Sequence, residues 1–142
     1  MQLNLKRKIE IQSLGDDGFH IFCKVTLNGL RCRALIDTGA SKSVLNFSTY
    51  KALGLKEFLP ADDNQMLGIV PGITDFTFVT LDRVSLGKFE VRNMIVGVVD
   101  LEHVMIQYSK LSIKPFDFII GGDILTKGKA VINYKEEWLT LS

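Results

Sequence analysis

From Phe19 to Leu27 apolar and polar side chains alternate with almost no break. Phe19, Ile21, Cys23, Val25 and Leu27 share one face, and His20, Phe22, Lys24 and Thr26 share the other. A period of two is that of a strand with one face buried. Asn28-Gly29 follows, the strongest short hairpin signal a chain can carry, because both residues tolerate the positive φ of a tight turn. Leu30–Ile36 then returns antiparallel and delivers Asp37. A two-residue turn sets the register, with Leu27 facing Leu30 and Val25 facing Cys32. Cys23 then lies diagonal to Cys32 on one face, a poor geometry for a disulfide, so both read as free core thiols.

The same reading continues on both sides of this hairpin. Residues 5–14 are strand-like and 15–18 form a turn. Ser43-Val44-Leu45 predicts a short strand, and Ser48 predicts the cap of a short helix over 49–53, ended by Gly54. Residues 60–64 are polar and loop-like. Between Met66 and Ile73 two glycines flank an apolar tip whose Pro71-Gly72 suits the centre of a type II turn. Alternation resumes at 76–81, and strands over 84–86 and 89–99 meet at Gly87-Lys88. Residues 101–114 fit either a short helix or a wandering connection. Residues 117–122 form a second apolar run ending in glycines, after which Asp123 is placed to cap a short helix over 124–127, stopped by Gly128. Residues 130–134 and 138–141 complete a terminal hairpin. Many short strands, two short helices and closely spaced turns predict an all-β sandwich or barrel, with residues 1–142 as a single domain.

Composition narrows the function. The 142 residues can bury a sizeable core, 46% of them are hydrophobic, and the mean hydropathy is +0.19. A net charge of +1 gives no electrostatic case for nucleic acid or an anionic membrane. Lys6-Arg7-Lys8 reads as a solvated strand face. No stretch approaches the roughly 18 apolar residues of a membrane span, and the start of the chain has no apolar signal region, so a cytoplasmic protein is expected.

Chemistry is narrowed by what is missing. His20 and His103 are the only histidines, and no His-x-x-x-His or Cys-x-x-Cys pair is present, so no metal is expected. No histidine is placed to activate a serine or cysteine. No glycine pattern makes a phosphate loop, and no cofactor is expected. What remains is Asp37, a carboxylate at the end of an apolar strand, costly to bury unless it is hydrogen-bonded or shares a proton. Hydrolysis by carboxylates alone needs two, one to activate water and one to polarise the carbonyl. The chain holds one Asp-Thr-Gly. A second Asp37 would come from another copy across a two-fold axis, which brings equivalent residues together.

Ala34 to Ser41, with Asn28-Gly29 before it and Val44-Leu45 after it, resembles the active-site region of the retropepsin-like aspartic proteases. Ile119-Ile120-Gly121-Gly122-Asp123-Ile124-Leu125 resembles that family's second signature, and Met66 to Phe78 sits where the family carries its flap. The resemblance covers roughly residue 19 to the C-terminus. It implies a closed β-barrel or sandwich with one or two short helices, half of a pepsin-like architecture. It implies an aspartic endopeptidase that acts on a peptide or protein substrate as a homodimer, with Asp37 as the catalytic residue of each subunit. Thr38 would brace the dyad across the dimer, and Gly39, Ala40 and Ser41 would line the substrate backbone. Gly68, Ile69, Val70, Pro71, Gly72 and Ile73 would close as a lid, favouring apolar side chains beside the cut. Ile119, Ile120 and Gly121 would pack behind the loop. Viral members often pair an acid at the position of Ser41 with Arg at that of Gly122; both are small and neutral here. That departure motivates the rival expectation, a non-catalytic dimerisation or peptide-binding module of the same fold. A small β-barrel binding protein is a third reading, and it leaves Asp37 unexplained.

Overall fold

The computed structural model describes residues 5–55, 59–60 and 77–142. Its strands are β1 (Leu5–Lys8), β2 (Glu10–Ser13), β3 (Phe19–Leu27), β4 (Leu30–Ile36), β5 (Val44–Asn46), β6 (Leu59–Pro60), β7 (Thr77–Leu86), β8 (Phe89–Val99), β9 (Phe118–Ile120), β10 (Val131–Asn133) and β11 (Trp138–Leu141). Its helices are α1 (Phe47–Ala52), α2 (Glu102–Lys110) and α3 (Gly122–Lys127). Asn28 and Gly29 take φ of 48° and 87°, and the hairpin has the expected register, Leu27 against Leu30 and Val25 against Cys32. Cys23 and Cys32 are buried and free.

The strands β3, β4, β9, β5, β8 and β7 pair in that order, and β7 returns to β3 through Thr26↔Ser85 and Leu27↔Val84, closing a barrel. A separate small sheet is ordered β1-β11-β10. The stretch 5–14 therefore divides between two sheets. Its pivot is Ile9, 1% exposed, whose amide donates to the Glu137 carbonyl.

The pairing that positions the loop at Asp37 is β4 with β9. They run parallel, Leu35 beside Ile119 and Ile36 beside Ile120, so both strands end together and their following turns meet. Both are covered on two faces. Ala34, Ile36, Phe118 and Ile120 point into the barrel with Leu81, Val84 and Val96. Leu35 and Ile119 point outward into a second core with Phe22, Phe78, Tyr108 and Phe116. Continuous apolar runs are the signature of strands buried on both sides.

The second core changes two sequence expectations. Phe22, placed with the polar face of β3, is fully buried, because the stretch 101–114 folds back over it as α2 and the turn that follows. The ring of Tyr108 meets Phe22 edge-on at 6.1 Å, and its hydroxyl bonds His20. Ser48 is not the cap of the first helix. Asn46 is, and its amide group donates to the Ser48 hydroxyl while its side-chain oxygen accepts from the Leu101 amide. Among the described residues no helix is long and apolar enough to cross a membrane.

Candidate active site

Where β4 ends, the Asp37 amide makes one more bond to β9, donating to the Ile120 carbonyl at 2.9 Å. The chain then reverses. The Gly39 amide donates to Asp37 Oδ1 at 2.9 Å, and the Ala40 amide donates to the Asp37 carbonyl at 3.2 Å. Asp37 thus organises its own turn, with Oδ1 held by the Gly39 amide. Its side chain is half-buried, and Thr38, Gly39 and Ser41 are exposed. The apolar strand before it suggested fuller burial. The strand ends at Ile36 as expected, and Asp37 lies in the turn that follows it, beside exposed Thr38 and Gly39.

The loop is fastened to the start of α3. The Gly122 amide donates to the Ala40 carbonyl at 2.7 Å. Gly121 lies so close to the loop that a Cβ on it would stand 2.7 Å from the Ala40 oxygen and 2.8 Å from both the carbonyl carbon and oxygen of Lys42. Only glycine fits there. Gly122 has more room, with nothing nearer than 3.5 Å to such a Cβ.

Asp123 does not cap α3. The cap position is Gly121, and Asp123 is the helix's second residue. Its carboxylate instead reaches the loop. Oδ2 accepts from the Ser43 amide at 2.9 Å, and Oδ1 accepts from the Ser43 hydroxyl at 2.8 Å and from the Ile124 amide at 2.8 Å. Ser43, fully buried, also accepts from the Gly121 amide at 3.0 Å. The Ser43–Asp123 pair therefore braces loop to helix where the Ser41 and Gly122 positions offer no ion pair. Sequence reasoning named neither residue for this role. The contact spans 80 residues, and no local pattern announces it.

Of the other expected site residues, Ile120 lies inside the barrel, its carbonyl accepting from the Asp37 amide, and Ile119 lies in the outer core beside Leu35. Residues 68–73 lie outside the described residues. Asp117 is a structural acid at the opposite end of β9. It accepts from the Arg33 amide at 3.0 Å and the Thr49 hydroxyl at 3.1 Å. Among the described residues no three His, Cys, Asp or Glu side chains are grouped as metal ligands. Burial pushes the Cys23 thiol up to about 12, partly offset by the charges of Arg7 and Arg33. Cys32 is likewise pushed up to about 12, by burial and then by Asp117. At neutral pH neither is a thiolate nucleophile.

A family model described as aspartyl protease matches residues 23–124, more than half of the chain. Among solved structures, a retropepsin-like aspartic protease from Rickettsia conorii superposes with a TM-score of 0.62 at 18% identity, covering 97% of this chain and 89% of that one. The retroviral protease-like domain of Ddi1 from Leishmania major gives 0.54 at 21% identity, covering 85% and 86%. EIAV protease in complex with the inhibitor HBY-793 gives 0.55 at 20% identity, covering 80% and 92%. At these identities the likeness is one of fold. No curated protein matches the chain on sequence.

Proposed function

The chain belongs to the aspartyl protease family and has the retropepsin-like fold, and from that premise we propose that it is an aspartic endopeptidase assembled as a homodimer, with one Asp37 from each subunit. The observation that carries this reading is the setting of Asp37. It is the acid of the chain's lone Asp-Thr-Gly, half-buried at a barrel rim, with one oxygen fixed by the Gly39 amide. Half a dyad held in this way is incomplete by itself.

In the dimer the two carboxylates share one proton, because two negative charges at close range cannot both persist. The ionised Asp37 takes a proton from water as that water attacks the peptide carbonyl. The protonated one donates to the carbonyl oxygen, giving a neutral tetrahedral diol. Collapse returns a proton to the amine nitrogen, breaks the C–N bond and restores the shared-proton pair. The exposed Thr38 would hydrogen-bond across the two-fold axis and hold the carboxylates coplanar. Gly39, Ala40 and Ser41 would contact the extended substrate backbone, and residues Gly68 to Ile73 would close over it. The Ser43–Asp123 brace supports catalysis over the non-catalytic reading, since it ties the Asp37 loop to the start of α3.

The test is cleavage of a mixed peptide library across about pH 4 to 7, with sedimentation of the same sample. Cleavage is expected from a dimer and is expected to fall by at least about a hundredfold in Asp37→Asn, which keeps the Oδ1 contact to Gly39 but cannot shuttle the proton. Activity surviving that substitution, or a strict monomer that still cleaves, overturns the mechanism. A folded dimer without any cleavage turns the assignment to the binding module.

A further inference from the structure

The barrel has a gap in its wall away from the Asp37 loop. β2 stays on β3 as far as Glu10↔Phe22, and β7 joins β3 only at Thr26↔Ser85. Between those points residues 23–25 have no strand partner on that edge among the described residues. Lys24 lies opposite Arg33 on β4. Arg33 directs its own amide and carbonyl the other way, to Asp117. That makes Lys24–Arg33 a non-hydrogen-bonded pair, so the main-chain N–H and C=O of Lys24 point into the gap.

A groove of about 1040 Å³ opens there, floored by Ile9, Val25 and Cys32. Its rim is cationic. Lys8, Lys24, Arg31 and Lys114 line it, all are exposed, and among the described residues none forms an ion pair. Three acids share the lining: Glu10 pairs with Arg33 at 3.1 Å, Asp117 accepts from the Arg33 amide and Thr49, and Glu137 is exposed, against the cations Arg7, Lys8, Lys24, Arg31, Arg33 and Lys114. Arg33, opposite Lys24 on the ladder, has its charge met by Glu10, whereas Lys24 forms no ion pair among the described residues and its charge faces solvent.

We propose that this groove docks an extended acidic peptide segment, whose main chain pairs with the open edge of β3 at Lys24 and whose carboxylates meet Lys8, Lys24, Arg31 and Lys114. Strand addition supplies main-chain hydrogen bonds, and the side-chain pockets supply selectivity. The apolar floor and the free strand edge favour a peptide over nucleic acid, as does the net charge of only +1. Arg33 precedes Asp37 by four residues on an extended strand, so the groove lies about 13 Å behind the loop. It is therefore an exosite, separate from the cleft where cutting is proposed, and its occupancy does not depend on catalysis.

Fluorescence anisotropy with a labelled peptide of alternating Glu and Val tests it, with the Gln-for-Glu analogue and a single-stranded oligonucleotide as comparisons. The acidic peptide is expected to bind the full chain. Binding is expected to be at least about tenfold weaker for the Gln analogue and for Lys24→Glu/Arg31→Glu. It is expected to be unchanged in Lys127→Glu, an exposed position on α3, and weaker at high salt. Both substituted side chains at 24 and 31 are exposed, and circular dichroism checks that the variant is folded. Equal affinity in the double variant, no binding of the acidic peptide, or displacement of the peptide by the oligonucleotide at lower concentration overturns the proposal. None of these results bears on Asp37 cleavage, so the two readings fail separately.

Discussion

Replacing Gly121 by Ala is the sharpest test of how the loop at Asp37 is held. The new methyl would lie 2.7 Å from the Ala40 oxygen and 2.8 Å from the Lys42 carbonyl, whereas ordinary contact begins near 3.4 Å. The loop or the strand must therefore give by about 0.7 Å, and both neighbours are backbone, which cannot rotate away. Overpacking of this kind costs about 1–3 kcal/mol. The displaced loop also strains the Gly122-to-Ala40 and Gly121-to-Ser43 hydrogen bonds, each worth about 1 kcal/mol. A total of about 2–4 kcal/mol corresponds to a drop in Tm of about 6–14 °C for a chain of this size. Gly122→Ala is the matched control. Its nearest contact is 3.5 Å, and the expected change is within about 0.5 kcal/mol. Thermal unfolding at one fixed protomer concentration measures both. Cleavage by Gly121→Ala should fall as well, by up to about a hundredfold, because a shift approaching 1 Å misplaces the carboxylate. A Gly121→Ala protein with wild-type Tm and activity would refute the cradle argument outright. Equal losses in the two variants would refute its geometry.

Three further outcomes follow from contacts already described. Asp123→Ala removes the acceptor for the Ser43 amide and hydroxyl and should lower stability by about 2–4 kcal/mol in denaturant titration, with Asp123→Asn, which keeps one oxygen, recovering part of it. Tyr108→Ala opens the outer core and should cost about 3–5 kcal/mol, with increased hydrogen exchange concentrated in residues 101–116. Cys23 ionises near 9.0 when exposed and is pushed up to about 12 in the fold. Its contribution is intact below about pH 9 and is lost as pH climbs toward 12, because the unfolded chain releases the proton first. Cys23→Ala should flatten the alkaline limb of the stability profile by up to about 1.4 kcal/mol per pH unit.

The hairpin was legible because two independent signals agreed, the period of two in β3 and the Asn28-Gly29 turn that admits only one register. Asp37 was legible because an acid after three apolar residues stands out in any window. The partner of β4 was not. β9 lies about 84 residues away in sequence, and an apolar run says that both faces are covered without saying by what. α2 stayed open because its apolar positions make no full stripe, with Tyr108 buried but Ile106 half exposed. The cap pattern at Asp123 misleads for a physical reason. An acid before an apolar run matches a cap pattern, yet the Gly121–Ala40 contact pulls the helix start back, which turns the carboxylate toward Ser43.

The pairing of β1 with β11 has a mechanical consequence. Leu5 lies beside Leu141 at one end of an antiparallel ladder that closes at Lys8 and Trp138. A load applied across Leu5 and Leu141 therefore meets the hydrogen bonds in series and peels them pair by pair, the weak direction for such a ladder. The next element reached is the pivot at Ile9, beyond which β2 is anchored along the barrel. Tension at the ends would thus be absorbed in the small sheet and relieved there, before it reaches β4, β9 and the loop they hold.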